Sequence, residues 1–279
     1  MKLDPSMSIH GLLAAEFALE PPRDTYWGTL IQRMRDFEAS TPFFWCENLQ
    51  RCLPEEAAQV LRRQQERREY VYAWFLVNTR GFYYETPEML RYPWVDRLAL
   101  LPVADLFNHA ATGCLVTFTA KGYIVKTDCE FAEGDEVCFS YGEHSNDVLL
   151  AEYGFLLEGN NYDKVCIDGF VLSGATEEQK VLLGESDILG GYYIDAEGHL
   201  NDTARQALQL IDGSRDGAPE ESRTTVNAIL KKFHNEVKMK QRAINADTDG
   251  ELAQRETLAA RWSQIEAVVE RALAAHDES

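Results

Sequence analysis

Residues 101–110 read LPVADLFNHA, and residues 134–160 read GDEVCFSYGEHSNDVLLAEYGFLLEGN. In the first stretch Asp105, Asn108 and His109 sit among Leu101, Val103, Leu106 and Phe107. Each of the three costs free energy to bury without a hydrogen-bonding partner. The stretch is therefore either a surface turn or a place where something polar is held. Around it run short apolar segments, LALLPVADLF, CLVTF, YIVK and EVCFSY, separated by the turn signals AKG and FAEGDE. CLVTFTAKGYIVK predicts a hairpin around Lys121 and Gly122, and VCFSY alternates Val137 and Phe139 with Cys138 and Ser140. A small β-rich region over residues 99–160 is expected.

On both sides of it the pattern is helical. Residues 8–38 give two helices divided by Pro21 and Pro22. From Pro54 to Arg80 there is neither Gly nor another Pro, and Val60, Leu61, Tyr70, Trp74 and Phe75 predict an inward stripe on one long helix. Arg62, Arg63, Arg67 and Arg68 fall on its solvated face, with Glu66 and Glu69 as partners. Two further helices are predicted near 224–243 and 251–275, where Val226, Ile229, Leu230, Phe233 and Val237, then Leu258, Trp262, Ile265, Val269, Ala272 and Leu273, recur at threes and fours. DGSRDGAPEESR, 212–223, predicts a polar linker or loop.

At 279 residues the chain is long enough to bury a sizeable core. No apolar run reaches the ~18–20 residues needed to cross a bilayer, and the first ten residues lack the apolar core of a signal peptide. An intracellular protein, of cytoplasm or nucleus, is expected, with no membrane partner. The six cysteines form no CxxC pair and no paired histidines stand at ligand spacing, so neither a zinc site nor a disulfide framework is expected and the cysteines read as free, partly buried thiols. A net charge of −19 argues against direct contact with nucleic acid and favours a basic partner, although charge of this size also keeps a protein in solution.

ADLFNHA at 104–110 and the 134–160 stretch together resemble a SET domain of the RuBisCO large-subunit lysine methyltransferase-like branch. The resemblance rests on D-x-x-N-H (Asp105, Asn108, His109), G-x-x-V-x-x-S-Y-G (134–142) and S-N-x-x-L-L-x-x-Y-G-F (145–155), in the family's order. VNTRGF at 77–82 and GYYIDAEGHLNDTARQALQLI at 191–211 extend it upstream and downstream. The fold it implies is α+β: a helical insertion over 1–98, the C-terminal part of a small β-rich SET core over 99–162, and an all-helical substrate-binding-type domain over 163–279.

What the resemblance implies for the opening stretch is a bound S-adenosylmethionine. Asn108 would contact its methionine amino end, His109 its adenosine and Arg80 its carboxylate, with Asp105 as a hydrogen-bonding group behind them. Tyr141 would be the catalytic tyrosine and Tyr153 would line the substrate-lysine channel. Read from the residues alone, Asp105 caps a turn, His109 is a satisfied core histidine and Tyr153 is an aromatic plug among Leu149, Leu150 and Phe155. The implied function is protein-lysine N-methylation of a basic or Lys-bearing segment. The G-x-G loop that the family carries in an N-terminal strand-rich segment occurs nowhere in the 279 residues. An impaired enzyme is therefore one expectation, and a catalytically inactive SET-derived interaction module is the other.

Overall fold

The 3.6-residue apolar spacing and the turn residues that interrupt it set the order of elements in a computed structural model, which describes residues 8–20, 25–64, 71–119, 121–127, 129–212 and 219–277. The helices among the described residues are α1 (Ile9–Leu19), α2 (Tyr26–Leu30), α3 (Met34–Ser40), α4 (Glu47–Arg51), α5 (Glu55–Gln64), α6 (Val71–Arg80) and α7 (Asn146–Val148). They continue as α8 (Asp168–Ser173), α9 (Glu177–Glu185), α10 (Asp202–Asp212), α11 (Pro219–Ala246) and α12 (Leu252–Asp277). The strands are β1 (Gly81–Tyr83), β2 (Leu98–Leu100), β3 (Asn108–Thr119), β4 (Gly122–Thr127), β5 (Cys138–Phe139), β6 (Lys164–Cys166) and β7 (Tyr193–Asp195).

The chain folds into two units, one of residues 1–44, 61–143 and 152–154, the other of 45–60, 144–151 and 155–279. Residues 45–60 fold with the C-terminal helices, where Leu49 is fully buried and the Trp262 indole donates to the Cys52 carbonyl at 2.7 Å.

In the first unit α1 and α6 pack together, burying Ala14, Ala73 and Val77, and a ring-rich core forms from Phe37, Phe75, Leu76 and Ile31. Val60, Leu61 and Phe75 are buried as the stripe predicted, whereas Trp74 is half-buried and stacks on His10 at 3.4 Å. The single long helix is represented by two described ones, α5 and α6. Tyr70 and the pairings of Arg67 and Arg68 with Glu66 and Glu69 lie outside the described residues, as do Pro21 and Pro22. Residues 25–40 hold two short helices, so the 8–38 region carries three.

The predicted hairpin is β3–β4, antiparallel, from Cys114 opposite Thr127 to Thr119 opposite Gly122. β3 also pairs with β5 in parallel, giving the sheet order β4-β3-β5, while β1 and β2 form a separate antiparallel pair. Residues alternate across the hairpin: Cys114, Val116, Phe118 and Tyr123 share one face, whereas Leu115, Thr117, Ile124 and Lys126 share the other and are exposed. The LALLPVADLF run is only partly strand. It leaves β2 at Leu100, passes through Val103 at φ 84°, and turns at Ala104–Leu106 in one 3-10 turn. A positive φ at a β-branched residue is costly and breaks the strand there.

The second unit is built on α11 and α12, which run antiparallel and bury Val226, Leu230, Phe233 and Val237 together with Leu258, Trp262, Ile265 and Val269. α11 starts at Pro219, inside the segment expected as linker, and residues 213–218 lie outside the described residues. Beneath the helices sits a buried polar cluster. Arg261 is fully buried and donates to Asp147 at 2.6 Å and to Asp163 at 2.7 Å.

Candidate active site

Parallel pairing of β3 with β5 sets Asn108 beside Cys138 and His109 beside Phe139. Tyr141, two residues past Phe139, therefore returns beside His109 although the two are far apart in sequence. The Tyr141 backbone N–H donates to His109 Nδ1 at 2.9 Å, and the two rings lie 5.1 Å apart. Because Nδ1 accepts, a neutral imidazole carries its proton on Nε2. The Tyr141 hydroxyl donates to the Phe107 carbonyl at 2.7 Å. Tyr153 brings its ring to 5.3 Å from that of Tyr141.

These tyrosines face a cavity of about 120 Å³. Asp105, Phe107, Phe139 and Ser140 line it with them, as do Thr79, Phe82, Tyr83 and Val116. Burial pushes the Tyr141 phenol up to about 12, with Arg80 pulling weakly the other way. Burial raises Tyr153 as well, helped by the neighbouring Glu152 carboxylate. Both hydroxyls are thus held protonated, as hydrogen-bond donors rather than bases.

Arg80 and Asp105 form a second buried group. Arg80 Nη1 lies 3.2 Å from Asp105 Oδ2 and donates to the Asp105 carbonyl at 2.8 Å, while Nη2 donates to Gln32 Oε1 at 2.8 Å. The Trp27 indole donates to Asp105 Oδ2 at 2.7 Å. Arg80 Nε and Asp105 Oδ1 are shielded from solvent with no hydrogen-bond partner among the described residues. Asp105 thus sits in a 3-10 turn and also faces the cavity. Asn108 is exposed and its amide donates to Glu136 at 2.5 Å. The structure therefore brings His109, Tyr141 and Tyr153 together and pairs Arg80 with Asp105. It sets the Asn108 amide on Glu136, and Arg80, Asn108 and His109 are not among the residues lining the cavity.

Several partners escaped the sequence reading. Trp27, Gln32 and Glu136 carry no motif, and the Phe107 carbonyl is a backbone group that no residue type announces. Phe118, the one ring in CLVTF, joins Tyr83, Tyr84 and Tyr123 at 5.7–5.8 Å. Burial pushes Tyr123 up to about 12. Ser145 accepts the Val148 N–H as a helix cap and is hydrogen-bonded to Glu56.

A small parallel-paired sheet, a tyrosine pair over a shared cavity and a helical C-terminal region define a SET-type fold, of the form found in the RuBisCO large-subunit methyltransferase. The solved structure of Rubisco LSMT bound to AdoMet superposes with a TM-score of 0.57 over 98% of this chain and 76% of that one, at 13% identity. The SET domain of LSMT bound to lysine and AdoHcy gives 0.53 over 96% and 74%, at 14% identity. In sequence the chain is 28% identical over 195 residues to the ribosomal lysine N-methyltransferase set11 of Schizosaccharomyces pombe, covering 60% of this chain and 48% of the relative. The chain thus spans about half the length of that curated relative. No family model matches it. No helix among the described residues is long and apolar enough to cross a membrane.

Proposed function

We propose that this chain is an S-adenosylmethionine-dependent protein-lysine N-methyltransferase of SET type, acting on a basic or Lys-bearing segment of a protein within the cytoplasm or nucleus. The observation that carries the reading is the meeting of Tyr141 and Tyr153 at one cavity, with His109, which does not line it, bonded to the Tyr141 backbone. The cofactor and lysine bound in the structural neighbours and the ribosomal lysine N-methyltransferase among the relatives support it. A net charge of −19 suits a basic segment as substrate.

The cavity residues fit a cationic, partly apolar guest. Asp105 offers a carboxylate oxygen with no hydrogen-bond partner among the described residues, Phe107 a carbonyl that already accepts the Tyr141 hydroxyl, and the tyrosine rings offer π faces. Asn108, His109 and Arg80 would hold the cofactor, which when bound supplies an electrophilic methyl group. The chain's residues do the rest. Attack requires a neutral amine, whereas a free lysine has pKa ~10.4, so a narrow, partly dry channel favours the reactive form. Tyr153 lines that channel, and Tyr141 orients the amine through its hydroxyl.

A second reading, a catalytically silent SET-derived interaction module, draws on Arg80: both terminal nitrogens of its guanidinium are bonded to Asp105 and Gln32 and only Nε has no partner among the described residues, so a cofactor carboxylate would have to displace one of them to bind at two points. Calorimetric titration with S-adenosylmethionine separates the two. Binding to the wild type that weakens about tenfold or more in Asn108→Ala is the expected result. No detectable heat from the wild type leaves only the module.

A further inference from the structure

Two clusters among the described residues bring three metal-type donors within 4.8 Å of one another: Glu55, Cys166 and Asp168, and His234, Glu266 and Glu270. In the first, both carboxylates already have donors. Glu55 accepts the Gly169 N–H at 3.2 Å, and Asp168 accepts those of Gly191 and Tyr192 at 3.2 and 2.7 Å. That cluster asks for no cation.

The second lies across the α11–α12 hairpin and is differently placed. His234 Nε2 is shielded from solvent and has no hydrogen-bond partner among the described residues. It stands 3.5 Å from Glu266 Oε1 and 3.7 Å from Glu270 Oε1, beyond good hydrogen-bond length. The two glutamates are one helical turn apart on α12, so both carboxylates reach the same point on α11. Gln241 donates to the other Glu266 oxygen at 2.8 Å, which aims Oε1 at the imidazole. Zinc bonds of about 2.0–2.1 Å at tetrahedral angles separate neighbouring donor atoms by about 3.3–3.4 Å. The two spacings from His234 are close to that and longer than a good hydrogen bond, though within reach of an ion pair if the imidazole is protonated.

We propose that His234, Glu266 and Glu270 form a site for a zinc-type divalent cation that staples the two C-terminal helices. One imidazole nitrogen and two carboxylate oxygens suit zinc better than calcium or magnesium, which take oxygen alone. Glu270 is the exposed member, its side chain 60% accessible, so solvent reaches the cluster from its side. The inference does not depend on methyl transfer.

The test is titration of the untagged, chelator-stripped full chain with zinc chloride, by calorimetry and by melting with and without the metal. Expected are one equivalent bound, a raised Tm, and affinity reduced by more than about tenfold in both His234→Gln and Glu270→Gln. Cys166→Ser should leave zinc binding intact, and cobalt in place of zinc should show no sulfur-to-metal charge-transfer band. Absence of binding, unchanged affinity in Glu270→Gln, or loss of binding in Cys166→Ser would each overturn the assignment. If His234→Gln does not fold, Glu270→Gln on the exposed side carries the test.

Discussion

A phenol held near 12 is a donor at every pH where the protein works, and this fixes what Tyr141 can contribute. With its proton given to the Phe107 carbonyl, the hydroxyl oxygen is left to accept from the amine; replacing Tyr141 with Phe removes that acceptor and leaves the ring, so kcat for lysine methylation should fall about 10²–10³-fold while cofactor affinity is largely kept. Equal loss of both would make Tyr141 structural. The pH dependence should come from the amine: rates should climb from pH 6 toward ~10 as the target lysine deprotonates, with no added inflection from either tyrosine. Arg261 poses the opposite problem, a cation with carboxylates on two sides. Removing it in Arg261→Met strands Asp147 and Asp163 and should cost about 3–5 kcal/mol in chemical denaturation. Burial pushes Asp147 up to about 6 despite that guanidinium. Its folded value thus exceeds the ordinary ~3.9, so the native state binds the extra proton between the two. Wild type should gain stability relative to Asp147→Asn as pH falls from 7 toward 4, and lose the gain as pH rises through 6.

Elements read from the sequence hold best where periodicity is long and local. Val226 to Val237 and Leu258 to Ala272 fix α11 and α12, and the CLVTFTAKGYIVK alternation fixes the β3–β4 hairpin with its inward and outward faces. The LALLPVADLF run misleads because its apolar residues say nothing of the backbone break at Val103. Parallel pairing of β3 with β5 was equally hidden: two residues, Cys138 and Phe139, make the strand, and their partners lie far upstream. That pairing shifts register between His109 and Cys114, and Gly113 occupies the shift at φ 143°. A Cβ there would run into the Cys138 carbonyl oxygen, a backbone atom with no side-chain freedom to swing aside. Gly113→Ala should therefore destabilise by about 1–3 kcal/mol, read as a lower denaturation midpoint. An undisturbed midpoint would mean that β5 moves aside freely.

At the level of the molecule, the motifs 104–110 and 134–160 made the fold class and the tyrosine–histidine approach legible, because their order carries long-range information that periodicity lacks. The allocation of chain to units was not legible. An amphipathic stripe such as Leu49, Leu53, Ala57 and Val60 shows that a face is buried without showing what buries it. Likewise the partners of Arg80 and Asn108 are single polar residues drawn from distant segments. Net charge was plain from the start, and it acts together with one feature of the hairpin. Leu115 and Ile124, 59% and 50% exposed, stand on the outer face of a sheet whose β4 edge has no strand beside it among the described residues. At low ionic strength a charge of −19 keeps such faces apart by mutual repulsion. Raising sodium chloride from about 0.1 M to 1 M shortens the screening length from about 10 Å to about 3 Å. Light scattering should then report growing particles, and Ile124→Lys should keep the preparation clear under the same conditions.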